Sequence, residues 1–107
     1  MTSRTTIATL DLDAIHKALS NPIRRTILAQ LREPERHFSD RLLYSGHGVS
    51  AGELGKHCGL SQSTASVHLS TLLRAGLLTS SKIGQWIFYS RNEETIQAFL
   101  GSLHSGL

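Results

Sequence analysis

The chain has 107 residues, a net charge of +3 and a sequence pI near 9.5. That length makes one domain (1-107) with a limited core, which a subunit interface would help to stabilise, and the mild basicity favours polyanionic partners. A single cysteine excludes an internal disulfide, and no signal-peptide core or membrane-length apolar run is present, so a cytoplasmic, nucleoid-associated chain with no membrane partner is expected.

Residues 1-9 are expected to form a flexible arm. From Leu10 to Leu19, the residues Leu12, Ile15, Ala18 and Leu19 share one helical face. Asn21-Pro22 then reads as an N-cap followed by a proline at the first helical position. This second helix continues through Ile23, Ile27, Leu28 and Leu31, and Glu33-Pro34 ends it. Its Arg24 and Arg25 are either solvated charges or phosphate contacts, the former at least as well supported. Residues 33-49 read as a long connector, broken by Pro34, Gly46 and Gly48 and anchored by Phe38, Leu42, Leu43 and Tyr44. Packing over the core is its default role, with an inducer pocket or a partner contact as alternatives.

Residues 51-75 have helix-turn-helix spacing, with Ala51 to Cys58 and Ser61 to Ala75 separated by Gly59-Leu60. Gly59 can take the positive φ that ends the first helix, and Ser61 can cap the second. In the second helix Ala65, Leu69, Leu72 and Leu73 form an apolar stripe. The opposite face carries Gln62, Ser63, Ser66, Val67 and Ser70, with Thr64, His68 and Thr71 at its margin. Exposed helices usually carry Glu and Lys pairs; short donors and acceptors with one apolar contact suit base edges in a major groove. No Asp or Glu occurs from Leu54 through Asn92, whereas Lys56, Arg74, Lys82 and Arg91 all do. Such a window attracts a phosphate backbone. Gln62, Ser63, Thr64, Ser66 and Val67 are therefore the candidate base readers, and Lys56, Ser70, Arg74, Lys82, Gln85 and Arg91 the candidate backbone and wing contacts on double-stranded DNA.

After Gly76, a C-cap candidate, residues 77-91 read as a β-hairpin turning at Gly84-Gln85. Ile83, Trp86 and Phe88 are expected to hold it down, with Trp86 in the core and Tyr89 also favoured there. Residues 93-104 complete the chain as a helix, with acids in its first turn and Ile96, Phe99, Leu100 and Leu103 at helical spacing.

Four blocks in this order resemble the ArsR/SmtB family: Ala18-Leu-Ser-Asn-Pro-Ile-Arg-Arg-Thr-Ile-Leu28, Leu60-Ser-Gln-Ser-Thr-Ala-Ser-Val-His-Leu69, Leu72-Leu-Arg-Ala-Gly-Leu-Leu78 and Gly84-Gln-Trp-Ile-Phe-Tyr89. The resemblance implies a mainly α fold of five or so helices with a small hairpin wing. It implies a homodimeric winged helix-turn-helix repressor, paired through its first and last helices at Leu12, Ile15, Leu19, Ile96, Phe99, Leu100 and Leu103. The second helix of the motif would enter the major groove. A two-fold dimer would set two such helices about 34 Å apart and read an inverted-repeat operator.

The family's thiophilic metal site would fall at Ser50, Ala51 and Gly52, which offer no thiolate. Its zinc site on the last helix meets only Asn92, Glu93, Glu94 and a lone His104. No cofactor and no metal are expected, with His16, His104, His47 and His57 the weak candidates for an unorthodox site. His57 and Cys58 are adjacent on a helix, so their side chains diverge by about 100°. Cys58 lacks a resolving partner for redox sensing and is expected to be buried and inert. The signal, whether small molecule, metal or redox, is left open. The alternatives are a winged-helix protein-interaction module and a metal- or redox-sensing repressor with a His/Cys site. No Gly-rich phosphate loop, nucleophile elbow or paired carboxylates point to an enzyme.

Overall fold

Most helices begin where a side chain takes over bare backbone donors. Asp11 accepts the Ala14 N–H at 3.0 Å and opens α1 (Leu12–Leu19). Asn21 accepts the N–H groups of Ile23 and Arg24 at 2.8 and 3.2 Å ahead of α2 (Pro22–Arg32), as its cap position predicts. Glu33 ends α2, and α3 (Pro34–His37) follows at once as a single turn. This computed structural model describes residues 10–38 and 47–107. The expected arm at residues 1-9, the connector anchors Leu42, Leu43 and Tyr44, and its break at Gly46 lie outside the described residues.

Next come β1 (Val49–Ser50), α4 (Ala51–Cys58), α5 (Gln62–Arg74), β2 (Leu78–Ile83), β3 (Trp86–Arg91) and α6 (Glu93–Gly106). The architecture is mainly α with a small wing, as expected, but with six helices among the described residues and one more strand than a hairpin. β1 adds to the far side of β3, giving the antiparallel order β1-β3-β2 with Val49 opposite Tyr89. Gly48 makes that approach possible. Its φ is +112°, and a Cβ there would collide with the Tyr89 carbonyl. Gly48 is thus a required close-approach residue as well as a break in the connector. Of the connector's expected anchors, Phe38 is buried and packs its ring at a tilt against His57, 4.4 Å between ring centroids.

One apolar cluster runs through the chain. Ile15 and Ala18 of α1, Ile27, Leu28 and Leu31 of α2, Leu54 of α4, and Leu69 and Leu72 of α5 meet Leu77, Leu78, Tyr89, Ile96 and Phe99. Burying each large aliphatic side chain contributes roughly 1.5–3 kcal/mol. The placement corrects part of the expected dimer surface. Ile15, Ile96 and Phe99 are buried within their own chain, and His16 sets its ring edge against Phe99 at 5.4 Å. Leu19 and Leu103 also pack against this core, leaving Leu12 and Leu100 as the exposed members of the set. The physical reason is that α1 and α6 share a helix face with the core and have only their outer rows free.

The hairpin corrects a second expectation. Tyr89 and Leu78 are buried, so the two-residue strand period puts Trp86, Phe88 and their partners Ile83 and Ser81 on the opposite face. Trp86 is 61% exposed. Tyr89 and Leu78 hold the wing to the body, and Trp86 does not lie in the core.

Arg25 is exposed and Arg24 half-buried, and both also bond to backbone carbonyls. Arg24 donates from Nε to the Ala18 carbonyl at 2.7 Å and from Nη2 to Lys17 at 3.2 Å, while Arg25 reaches the Leu19 carbonyl at 2.7 Å. Together they satisfy the orphan carbonyls at the end of α1 and fix the angle between the first two helices.

Candidate nucleic-acid interface

The turn between α4 and α5 is set by two glycines. Gly59 adopts φ +68° and lets the Leu60 N–H return to the Gly55 carbonyl at 2.8 Å. Gly55 matters for a different reason: a Cβ on it would lie 3.1 Å from the Leu60 carbonyl oxygen and 3.3 Å from the Ala65 Cβ. Gly55 and Ala65 let the two helices cross closely, a contact that the spacing alone did not reveal.

Ser61 then caps α5. Its Oγ accepts the Thr64 N–H at 3.2 Å and donates to Thr64 Oγ1 at 3.0 Å, with Ser63 Oγ 3.2 Å away. The first turn therefore presents a small hydroxyl cluster beside unpaired backbone N–H groups, with no acid in that turn. Such an end carries partial positive charge and suits a phosphate or a base edge. All five expected base readers, Gln62, Ser63, Thr64, Ser66 and Val67, are exposed on one side of α5, while Ala65, Leu69 and Leu72 on the other side are fully buried. Val67 is 64% exposed. At the margin, Thr71 donates back to the Val67 carbonyl at 3.1 Å. His68 faces Arg24, Nδ1 to Nη1 at 3.2 Å, tying the reading helix to the same arginine that closes α1.

Lys56, Ser70, Arg74, Lys82 and Gln85 are exposed, and none of the three cations among them forms an ion pair among the described residues. Arg91 departs from this set. Its guanidinium forks onto Glu93 at 2.6 and 3.1 Å and reaches the Leu28 carbonyl at 3.3 Å, with its side chain 15% exposed. Arg91 is thus a strut between wing and core rather than a free backbone contact, because Glu93 lies two residues away at the start of α6. That bond holds the Glu93 carboxyl below the ordinary carboxylate range.

Between the reading helix and the wing lies a cleft of about 280 Å³. Gln62 and Ser66 form one wall, Trp86 and Ile87 the other, and Ser50 to Gly52 the floor. The thiolate-free stretch Ser50, Ala51 and Gly52 thus sits beside the reading face.

The weak metal candidates are dispersed. His57 pairs with Glu53 at 3.3 Å and packs at a tilt against Phe38, His16 meets Phe99 edge to face, and the His47 carbonyl accepts from Ser90. Among the described residues of the chain no three His, Cys, Asp or Glu side chains cluster. Cys58 is half-buried, and burial pushes its thiol up.

Residues 19–81 match a family model described as a helix-turn-helix domain. The uncharacterized HTH-type transcriptional regulator YbzH of Bacillus subtilis is 42% identical over 84 residues, covering 77% of this chain and 84% of its own. The transcriptional repressor SdpR of Bacillus subtilis is 30% identical over 86 residues, covering 80% of this chain and 81% of its own. In structure, the chain is similar to the homodimeric winged helix-turn-helix DNA-binding domain of a possible ArsR-family regulator from Mycobacterium bovis. That likeness has a TM-score of 0.63 at 21% identity, covers 88% of this chain and 76% of the other, and carries the fold alone. The family model and these relatives make the chain a member of the helix-turn-helix transcriptional regulators, and its winged fold is that of the ArsR-family neighbour.

Proposed function

We propose that two copies of this chain form a repressor that binds an inverted-repeat operator, with α5 in the major groove and the wing beside it. The observation that carries this reading is the exposed face of α5, which is acid-free, built of short polar groups and flanked by Lys56, Arg74 and Lys82, none of them in an ion pair among the described residues. Gln62, Ser63, Thr64, Ser66 and Val67 read base edges, while the three cations, Ser70 and Gln85 set the register on the backbone. Leu12 and Leu100, 43% and 49% exposed, supply the apolar contact between the copies on the outer rows of α1 and α6. The neighbour of the same fold from Mycobacterium bovis is itself a homodimer, which supports this assembly. A signal that alters the dimer contact changes the spacing of the two reading helices and so releases DNA.

The test is a binding titration against the protein's own upstream DNA and against random duplex at several salt concentrations. Selective, salt-sensitive binding is expected. Replacing Gln62 or Ser63 relaxes base selectivity, whereas Lys82→Ala weakens all sequences alike and flattens the salt slope. Equal effects of both classes would remove the assigned roles. No preference for the upstream DNA, with a protein partner that survives nuclease treatment, would replace the reading with a protein-binding module.

A further inference from the structure

Among the described residues six large apolar side chains stand exposed, and three of them, Val67, Trp86 and Ile87, lie on the reading helix or the wing. Scattered apolar exposure is ordinary on a protein surface. Trp86 is different because it lines, with Ile87, the same cleft whose other wall is Gln62 and Ser66. The indole is thus held open to solvent at the junction of the two elements that face DNA. From this placement, and resting on the DNA-binding reading above, we infer that Trp86 is a DNA-contacting residue. Its indole seats against the deoxyribose edge of the strand that passes between the reading helix and the wing.

The reasoning follows from geometry and charge. With α5 in a major groove and the wing beside it, the sugar-phosphate strand bordering that groove must run through the cleft. A backbone strand presents two chemistries there, anionic phosphates and apolar deoxyribose faces. Lys82 lies directly across the ladder from Ile87, and Gln85 precedes Trp86 at the turn. The wing tip therefore pairs a cation and an amide for the phosphate with an apolar surface for the sugar. No acid lies between Leu54 and Asn92 to repel the strand. Outward-facing Trp86 and Ile83 sit opposite each other, so Ile83 backs the indole and keeps it from collapsing into the turn. An aromatic group of this kind contributes affinity through desolvation and packing, which salt barely alters, whereas Lys82 contributes through counterion release, which salt weakens.

Trp86 is the only tryptophan in the chain, so it reports on its own contact. The full-length wild-type protein is titrated with upstream duplex while anisotropy of labelled DNA and intrinsic tryptophan fluorescence are followed together. A fluorescence change that saturates with the anisotropy, and protection of the indole from acrylamide in the complex, are expected. Trp86→Ala should weaken binding about tenfold, within the range of aromatic contacts to nucleic acid, and leave the salt slope unchanged. Trp86→Phe should recover most of the loss, and Lys82→Ala should lower the slope. Binding without fluorescence change or acrylamide protection would overturn the Trp86 contact and leave the DNA-reading function standing. A lower salt slope in Trp86→Ala would likewise overturn the apolar role. If wild-type protein fails to bind any duplex, the function and this contact fall together. Should Trp86→Ala fold poorly, the wild-type fluorescence and Trp86→Phe decide alone.

Discussion

Ser61→Asp should make the protein at least as stable and a far weaker DNA binder. Asp caps a helix about as well as Ser, and the first turn of α5 holds no acid, so the new carboxylate meets the helix dipole without a like-charged neighbour. That interaction adds about 0.3–1 kcal/mol to stability. In the proposed complex the same carboxylate stands at the end of α5 placed against DNA, close to its phosphates. A like-charge pair about 5 Å apart costs roughly 1 kcal/mol at the dielectric of water and ~3 kcal/mol at an effective value near 20. Two copies then lose at least ~2 kcal/mol, or ~30-fold in affinity. Ser61→Ala provides the contrast, since it removes the cap and lowers stability by ~1 kcal/mol without adding charge. Thermal melts and anisotropy titrations on the same preparations measure both quantities. A Ser61→Asp protein that melts no lower than wild type and still binds within about threefold of it would refute the placement of this helix end against DNA.

Leu69, fully buried on the inner face of α5, should cost ~2–5 kcal/mol when replaced by Ala, read as a fall in melting temperature. Glu93 is held low by its bond to Arg91, so its contribution is present above the usual carboxylate range and is lost as pH falls through the lower folded value. Glu93→Gln should therefore flatten the acid limb of a stability-against-pH curve, and an unchanged limb would show that the Arg91 strut contributes nothing. Burial raises the Cys58 thiol, so it should react with a thiol reagent more slowly than free cysteine at the same pH. Faster reaction would revive a redox role for it.

The helix-turn-helix was legible because its signals agree across levels: Gly59, Ser61 and the stripe Ala65, Leu69, Leu72 each point to the same two helices. The exposed reading face followed from that stripe. Trp86 was not legible because Trp86-Ile-Phe-Tyr89 is apolar at every position, so the two-residue period has no polar register to reveal which face is buried. The extra strand at Val49–Ser50 is too short to show a pattern, and only its pairing with Tyr89 and Phe88 defines it. The carbonyl acceptors of Arg24 and Arg25 and the bond from Arg91 to Glu93 were not legible because the turns between elements place them. The dimer set mixed two rows of α1 and α6, since helical spacing marks apolar faces without dividing those that meet the core from those left outside.

Selection of binding sites from a random duplex pool tests the central claim most directly, because it asks the protein for its preferred DNA without assuming an operator. The account predicts an inverted repeat whose half-site centres lie about one helical turn, ~10 base pairs, apart. A single unpaired half-site, a direct repeat or no enriched sequence at all would contradict it.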